Sequence, residues 1–112
     1  MEQAIAVDGV RFEQLIAEGV TLVDFNAPWC APCRIQSPII SKLSRKYKGR
    51  AAVVEVNVDE NQRQALKLGI TSIPTMIIFK NGREMKRFVG LQSAEDLITA
   101  MEQVLQSQGG RL

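Results

Sequence analysis

The sequence predicts an α/β domain, a central mixed sheet of about five strands with helices on both faces. Three observations carry this expectation. Strand-length runs rich in β-branched residues (Val20 to Phe25, Ala52 to Val58, Thr75 to Lys80) alternate with segments whose apolar residues recur at helical spacing. Glycines stand where those helices should stop, and Asn81-Gly82 marks a two-residue hairpin turn. Strands that alternate with helices imply right-handed parallel crossovers, while a hairpin adds an antiparallel edge.

In order along the chain, Ala4 to Val7 is a short apolar run fit for a first strand. Asp8 is placed as an N-cap, Phe12, Leu15 and Ile16 follow at helical spacing, and Gly19 is the stop. Val20 to Phe25 reads as a buried central strand. From Arg34 to Tyr47, residues Ile35, Ile39, Leu43 and Tyr47 give a helical stripe. Pro38 should kink this helix without ending it, because the periodicity resumes beyond it. Ala52 to Val58 is a second valine-rich strand. Asp59 and Gln62 have capping-box spacing and open a short helix through Ala65 and Leu66 to Gly69. Thr75 to Lys80 and Glu84 to Val89 form the hairpin. Ser93 and Asp96 again have capping-box spacing, before a last stripe of Leu97, Ile98, Met101, Val104 and Leu105. Residues 106–112 are polar and glycine-bearing, a frayed tail on a single domain spanning 1–112.

Composition narrows the function. Fourteen basic and twelve acidic side chains are scattered with no basic cluster, which speaks against nucleic acid as a partner. The start of the chain has no basic segment followed by a long apolar one, and no run approaches a membrane span, so the expected location is cytoplasmic, away from the membrane. The chain contains no histidine, which removes Ser-His and Cys-His catalysis and every imidazole-ligated zinc site. Its two cysteines fall short of the usual four-ligand structural zinc site, so no metal is expected. Only a dimer sharing two pairs, or added carboxylates, would supply one.

Those cysteines stand in Trp29-Cys30-Ala31-Pro32-Cys33, between a strand and a helix. With Cys30 at the helix start and Cys33 one turn in, helix geometry sets their Cα atoms about 5 Å apart, inside the range of roughly 4.4–6.8 Å that a disulfide spans. Pro32 is tolerated because first-turn N–H groups have no intrahelical partner. The same unpaired N–H groups, the positive end of the helix dipole and the nearby Arg34 favour a thiolate over a thiol. Cys30, nearer the helix end, is therefore the expected attacking thiolate. Cys33, deeper, is the expected resolving thiol. As a staple the pair would be weak, since a loop of about four residues contributes roughly 2 kcal/mol against about 4.7 for a loop of 100. A redox-active Cys30–Cys33 pair, with no bound cofactor, is the reading.

Val23-Asp24-Phe25, the Trp-Cys-Ala-Pro-Cys stretch, Pro38, Ile73-Pro74-Thr75, Lys80-Asn81-Gly82 and Val89-Gly90 together resemble the thioredoxin family, in order and spacing, over roughly Ala4 to Leu105. The resemblance implies the thioredoxin fold, reduction of protein disulfides, and re-reduction by a thioredoxin reductase. It also implies that Pro74 is the cis-proline beside the disulfide, that the Ile73 backbone is free to pair with an extended substrate, and that Trp29 and Gly90 flank that groove. Asp24, a lone carboxylate in a buried strand, should titrate high. In the family the matching residue takes the proton of the resolving cysteine through water.

Three positions depart from the commonest family pattern. Ala31 replaces a glycine, a change that bears on redox poise. Asn26 stands where a tryptophan is frequent, and Glu55 where some members have a lysine. If Glu55 points inward, two carboxyls share one site and one of them titrates high. If it points to solvent, nothing follows. A monomeric protein-disulfide reductase is the leading expectation. An oxidase or isomerase of an oxidising compartment, and a docking module that uses the same surface without catalysis, are the alternatives.

Overall fold

The computed structural model describes residues 5–6 and 9–107. Nine elements follow one another: β1 (Ile5–Ala6), α1 (Gly9–Ile16), β2 (Val20–Asn26), α2 (Ala31–Lys46), β3 (Ala52–Asn57), α3 (Gln62–Lys67), β4 (Thr75–Lys80), β5 (Arg83–Val89) and α4 (Ala94–Gln106). The expected order of elements is therefore the observed one. Asp8 as a cap, the two ends of the first strand at Ala4 and Val7, and the tail beyond Ser107 lie outside the described residues.

The five strands form one mixed sheet in the order β1-β3-β2-β4-β5. β1 and β2 run parallel to β3, while β4 is antiparallel to both β2 and β5. Alternation along the strands sorts the core into two layers. Val20, Leu22, Val53, Met76 and Ile78 pack under Ile40 and Leu43 of α2, its C-cap Tyr47, and Leu97, Met101 and Val104 of α4. Val23, Phe25, Val54, Val56, Ile77 and Phe79 face the other way, against Phe12 and Ile16 of α1 with Leu68 and Ile70. Helices thus cover both faces, and Asp24, between Val23 and Phe25, points with Leu22 toward α2. Asn81 (φ 51°) and Gly82 (φ 83°) both take positive φ, which a two-residue hairpin of this kind requires.

Three expectations need correction. The buried stripe of α2 runs through Gln36, Ile40, Leu43 and Tyr47, whereas Ile35 is exposed. Leu43 and Tyr47 are buried as expected and Ile39 packs partly buried against the same cluster, so the sheet beneath the helix displaces only Ile35, in favour of Gln36. α3 starts at Gln62 after Asn61, which makes no side-chain cap, so Asp59 does not cap it. The polar tail does not begin at 106. Gln106 is still helical, and the Lys80 ammonium donates to the carbonyls of Val104 and Ser107 at the end of α4. By contrast, Ser93 caps α4, its Oγ accepting the Asp96 N–H at 3.1 Å. α2 continues through Pro38, as expected. Among the described residues no helix is long and apolar enough to cross a membrane.

Candidate active site

β2 delivers the chain to the cysteine stretch at the edge of the core. Cys30 is the N-cap of α2, with extended backbone (φ −88°, ψ 113°), and Cys33 occupies the third helical position. The two form a disulfide with Cα atoms 5.2 Å apart, close to the helix-geometry expectation. Cys30 Sγ accepts the Cys33 N–H at 3.2 Å, so the sulfur takes the role a capping oxygen would have. A thiolate at this position would face the same N–H and the positive end of a sixteen-residue helix.

Both cysteines are nearly buried in the disulfide, packed with Ala27, Val58 and Ile73, so exposure separates them little. Their surroundings separate them more. Cys30 Sγ lies 3.8 Å from the Ile73 carbonyl oxygen, at the side where Trp29, Val58, Ile70 and Ile73 line a groove of about 160 Å³. Cys33 opens instead on a separate pocket of about 350 Å³, lined by Ala27 and Pro28 together with the side chains of Asn26, Arg34, Ser37, Glu55 and Asn57. Among the described residues no cluster of three or more His, Cys, Asp or Glu is arranged to hold a metal ion.

The Ile73–Pro74 peptide is cis. Gly90, at φ +95°, donates its N–H to the Pro74 carbonyl at 2.8 Å, tying it to the segment whose Ile73 carbonyl lies beside Cys30. Trp29 is 67% exposed and so is no core aromatic. Its indole Nε1 donates to Asp59 Oδ2 at 2.7 Å, and that carboxylate is occupied here rather than at the start of α3. Ala31 and Pro32 lie exposed in the first turn of α2. The Arg34 guanidinium donates to the Pro28 carbonyl at 3.1 Å.

Asp24 is fully buried. Glu55 is its register partner on the adjacent parallel strand, so both side chains project from the same sheet face. Asn26 Nδ2 donates to Asp24 Oδ2 at 3.4 Å and to Glu55 Oε1 at 3.1 Å, while Asp24 Oδ1 has no hydrogen-bond partner. Burial first, and then the Glu55 carboxylate, push Asp24 up to about 7, against the pull of the Asn26 hydrogen bond. Glu55 is thus half-buried on the Asp24 face of the sheet and shares the Asn26 amide with it. Asn26, notable in the sequence only as a departure, is the bridge between the two acids. Gln36 escaped the sequence reading altogether. The signal was its place at the buried phase of α2, at 36, 40, 43 and 47.

The thioredoxin family model matches residues 3–103 of the chain. The chain belongs to the thioredoxin family. It is 38% identical over 101 residues to a thioredoxin of Staphylococcus aureus, a match that covers 90% of this chain and 97% of that protein. A thioredoxin of Staphylococcus saprophyticus is 40% identical over the same shares. A solved variant thioredoxin of Halobacterium salinarum superposes with a TM-score of 0.87 at 31% identity, covering 94% of this chain and 93% of the other. The protein is accordingly a thiol–disulfide oxidoreductase of the thioredoxin type, which reduces protein disulfides through the redox-active Cys30–Cys33 pair and without a bound cofactor. Thioredoxins as a family have protein disulfides as substrates and a thioredoxin reductase as the enzyme that recharges them.

Proposed function

We propose that the reaction divides between the two cysteines according to what each faces. In the reduced protein the Cys30 thiolate attacks one sulfur of a substrate disulfide. A mixed disulfide forms and the other substrate sulfur leaves as a thiolate. Cys33 then loses its proton to Asp24 and attacks the Cys30 sulfur. That step releases the second substrate thiolate and closes the Cys30–Cys33 disulfide, so two electrons have passed from the pair to the substrate. The observation that carries this division is the position of Cys30 Sγ as helix cap beside Ile73, while Cys33 lines the pocket that Asn26 and Glu55 also line. With Asp24 at about 7, a carboxylate and its acid are both available near neutral pH, as proton exchange requires.

Trp29, Ile73, Pro74 and Gly90 form the groove for an extended substrate segment in this reading, and Ala31, Pro32 and Arg34 set the redox poise. The chain works as a single-domain monomer in the cytoplasm, recharged by a thioredoxin reductase. Single-cysteine variants test the division. Cys33→Ser should accumulate a covalent complex with a protein disulfide, visible by mass, whereas Cys30→Ser should form none. A stable adduct on Cys33 instead would reverse the assignment.

A further inference from the structure

Gln36 lies one helical turn beyond Cys33 and is fully buried beside the layer that holds Ile40, Leu43 and Tyr47. A primary amide at such a position is costly unless its polar atoms are paired, and an apolar side chain would fill the space without that requirement. Here both ends of the amide meet one residue 56 positions away. Gln36 Nε2 donates to the Gln92 carbonyl at 3.0 Å, and Gln36 Oε1 accepts the Gln92 N–H at 2.8 Å. Exchange of both bonds with one backbone unit is the way a hydrogen-bonded pair of an antiparallel ladder meets. The side chain acts as a one-residue strand.

The bonds continue from there toward the groove. Gln92 Nε2 donates to the Gly90 carbonyl at 3.4 Å, and the Gly90 N–H reaches the Pro74 carbonyl at 2.8 Å. A connected path thus runs from the cysteine-bearing helix, through residues 90–92, to the segment whose Ile73 carbonyl lies beside Cys30. The side chains it carries outward, Val89 at 59% and Leu91 at 48%, are among the most exposed apolar groups of the described chain.

We propose that Gln36 is a positioning residue for substrate specificity. By clasping Gln92 it holds the Gly90–Leu91 wall at a fixed offset from Cys30, so the groove is formed before an extended protein segment arrives. A wall already in place spares the ordering cost at binding, and that gain is confined to substrates large enough to touch it. The inference rests on the reductase reading and adds a determinant of which disulfides are served.

Gln36→Leu, similar in volume, tests it, with Gln36→Met as the second variant should leucine fail to fold. The wild type and the variant are compared on insulin and on a small aromatic disulfide that does not reach the wall. The expected result is a KM for insulin raised roughly tenfold, about 1.4 kcal/mol, with kcat and the small-disulfide rate held within about twofold. Exchange of the Gln92 amide hydrogen should accelerate in the same variant. An unchanged insulin KM, an equal loss on both substrates, or unaltered Gln92 exchange would each overturn the inference. A wild-type protein that reduces neither substrate would overturn the reductase reading first, and this inference with it.

Discussion

Asp24 and Glu55 stand opposite one another on parallel strands β2 and β3, with the Asn26 amide donating to one carboxylate oxygen of each. Among the described residues, the pair places a second acid beside the one buried carboxylate with an unpartnered oxygen. Its consequences are measurable in stability and in titration.

Asp24 should make the fold less stable as pH rises. Its ordinary value is 3.8 and burial pushes it to about 7, so between these limits the folded chain holds a proton that the unfolded chain has lost. Stability then falls with rising pH across that window and levels off above it. At about 1.4 kcal/mol per pH unit, the ionised carboxylate costs on the order of 4 kcal/mol. Relative to wild type, Asp24→Asn should therefore gain stability by about that amount between pH 4 and pH 8, measured by urea unfolding. A pH-independent offset between the two proteins would contradict this.

Glu55→Gln removes the neighbouring charge that raises Asp24. The Asp24 midpoint should move below its wild-type position near 7, and the alkaline limb of the stability profile should move down with it. Carboxyl carbon shifts followed by NMR through the titration give the answer. An unmoved or raised midpoint would mean that the two acids do not interact.

Gly90→Ala isolates a backbone cost. Gly90 has φ +95°, and an added Cβ would meet nothing within 4 Å, so no clash contributes. Holding an L-residue at positive φ should lower stability by about 1–2 kcal/mol, read from the urea midpoint. No change in midpoint would mean that the loop relaxes to negative φ.

Asp59→Ala should release the indole of Trp29 with little effect on stability. The bond is exposed, so a change below about 1.5 kcal/mol is expected. Because Trp29 is the only tryptophan, fluorescence anisotropy reports its motion alone, and the anisotropy should fall. An unchanged anisotropy would show that packing, not Asp59, fixes the ring.

Much of this was legible in the sequence because local chemistry determined it. Thr75 to Lys80 is the observed β4, Asn81-Gly82 the observed turn, and Ser93 the observed cap, each set by residues within a few positions. The cysteine pair was legible for the same reason. The missed features depend on partners far along the chain. Asp59 has the right spacing for a cap, yet Trp29, thirty residues earlier, takes its carboxylate. Ile35 and Gln36 are neighbours, and only the sheet beneath α2 decides which is buried. The side of the sheet taken by Glu55 was left open by the sequence, because strand pairing sets it beside Asp24 and no local pattern encodes that register.

The ends of the sheet order β1-β3-β2-β4-β5 carry a last consequence. A free strand edge invites another copy to pair with it, and folded proteins blunt such edges with short strands, charges and bulges. At one end, the described part of β1 is Ile5–Ala6, paired with β3. β5 carries Arg83, Glu84, Lys86 and Arg87, and its pairing with β4 shifts register at Ile78 and Phe79. Charges and a register shift thus make the β5 edge a poor template for pairing with another copy of the chain.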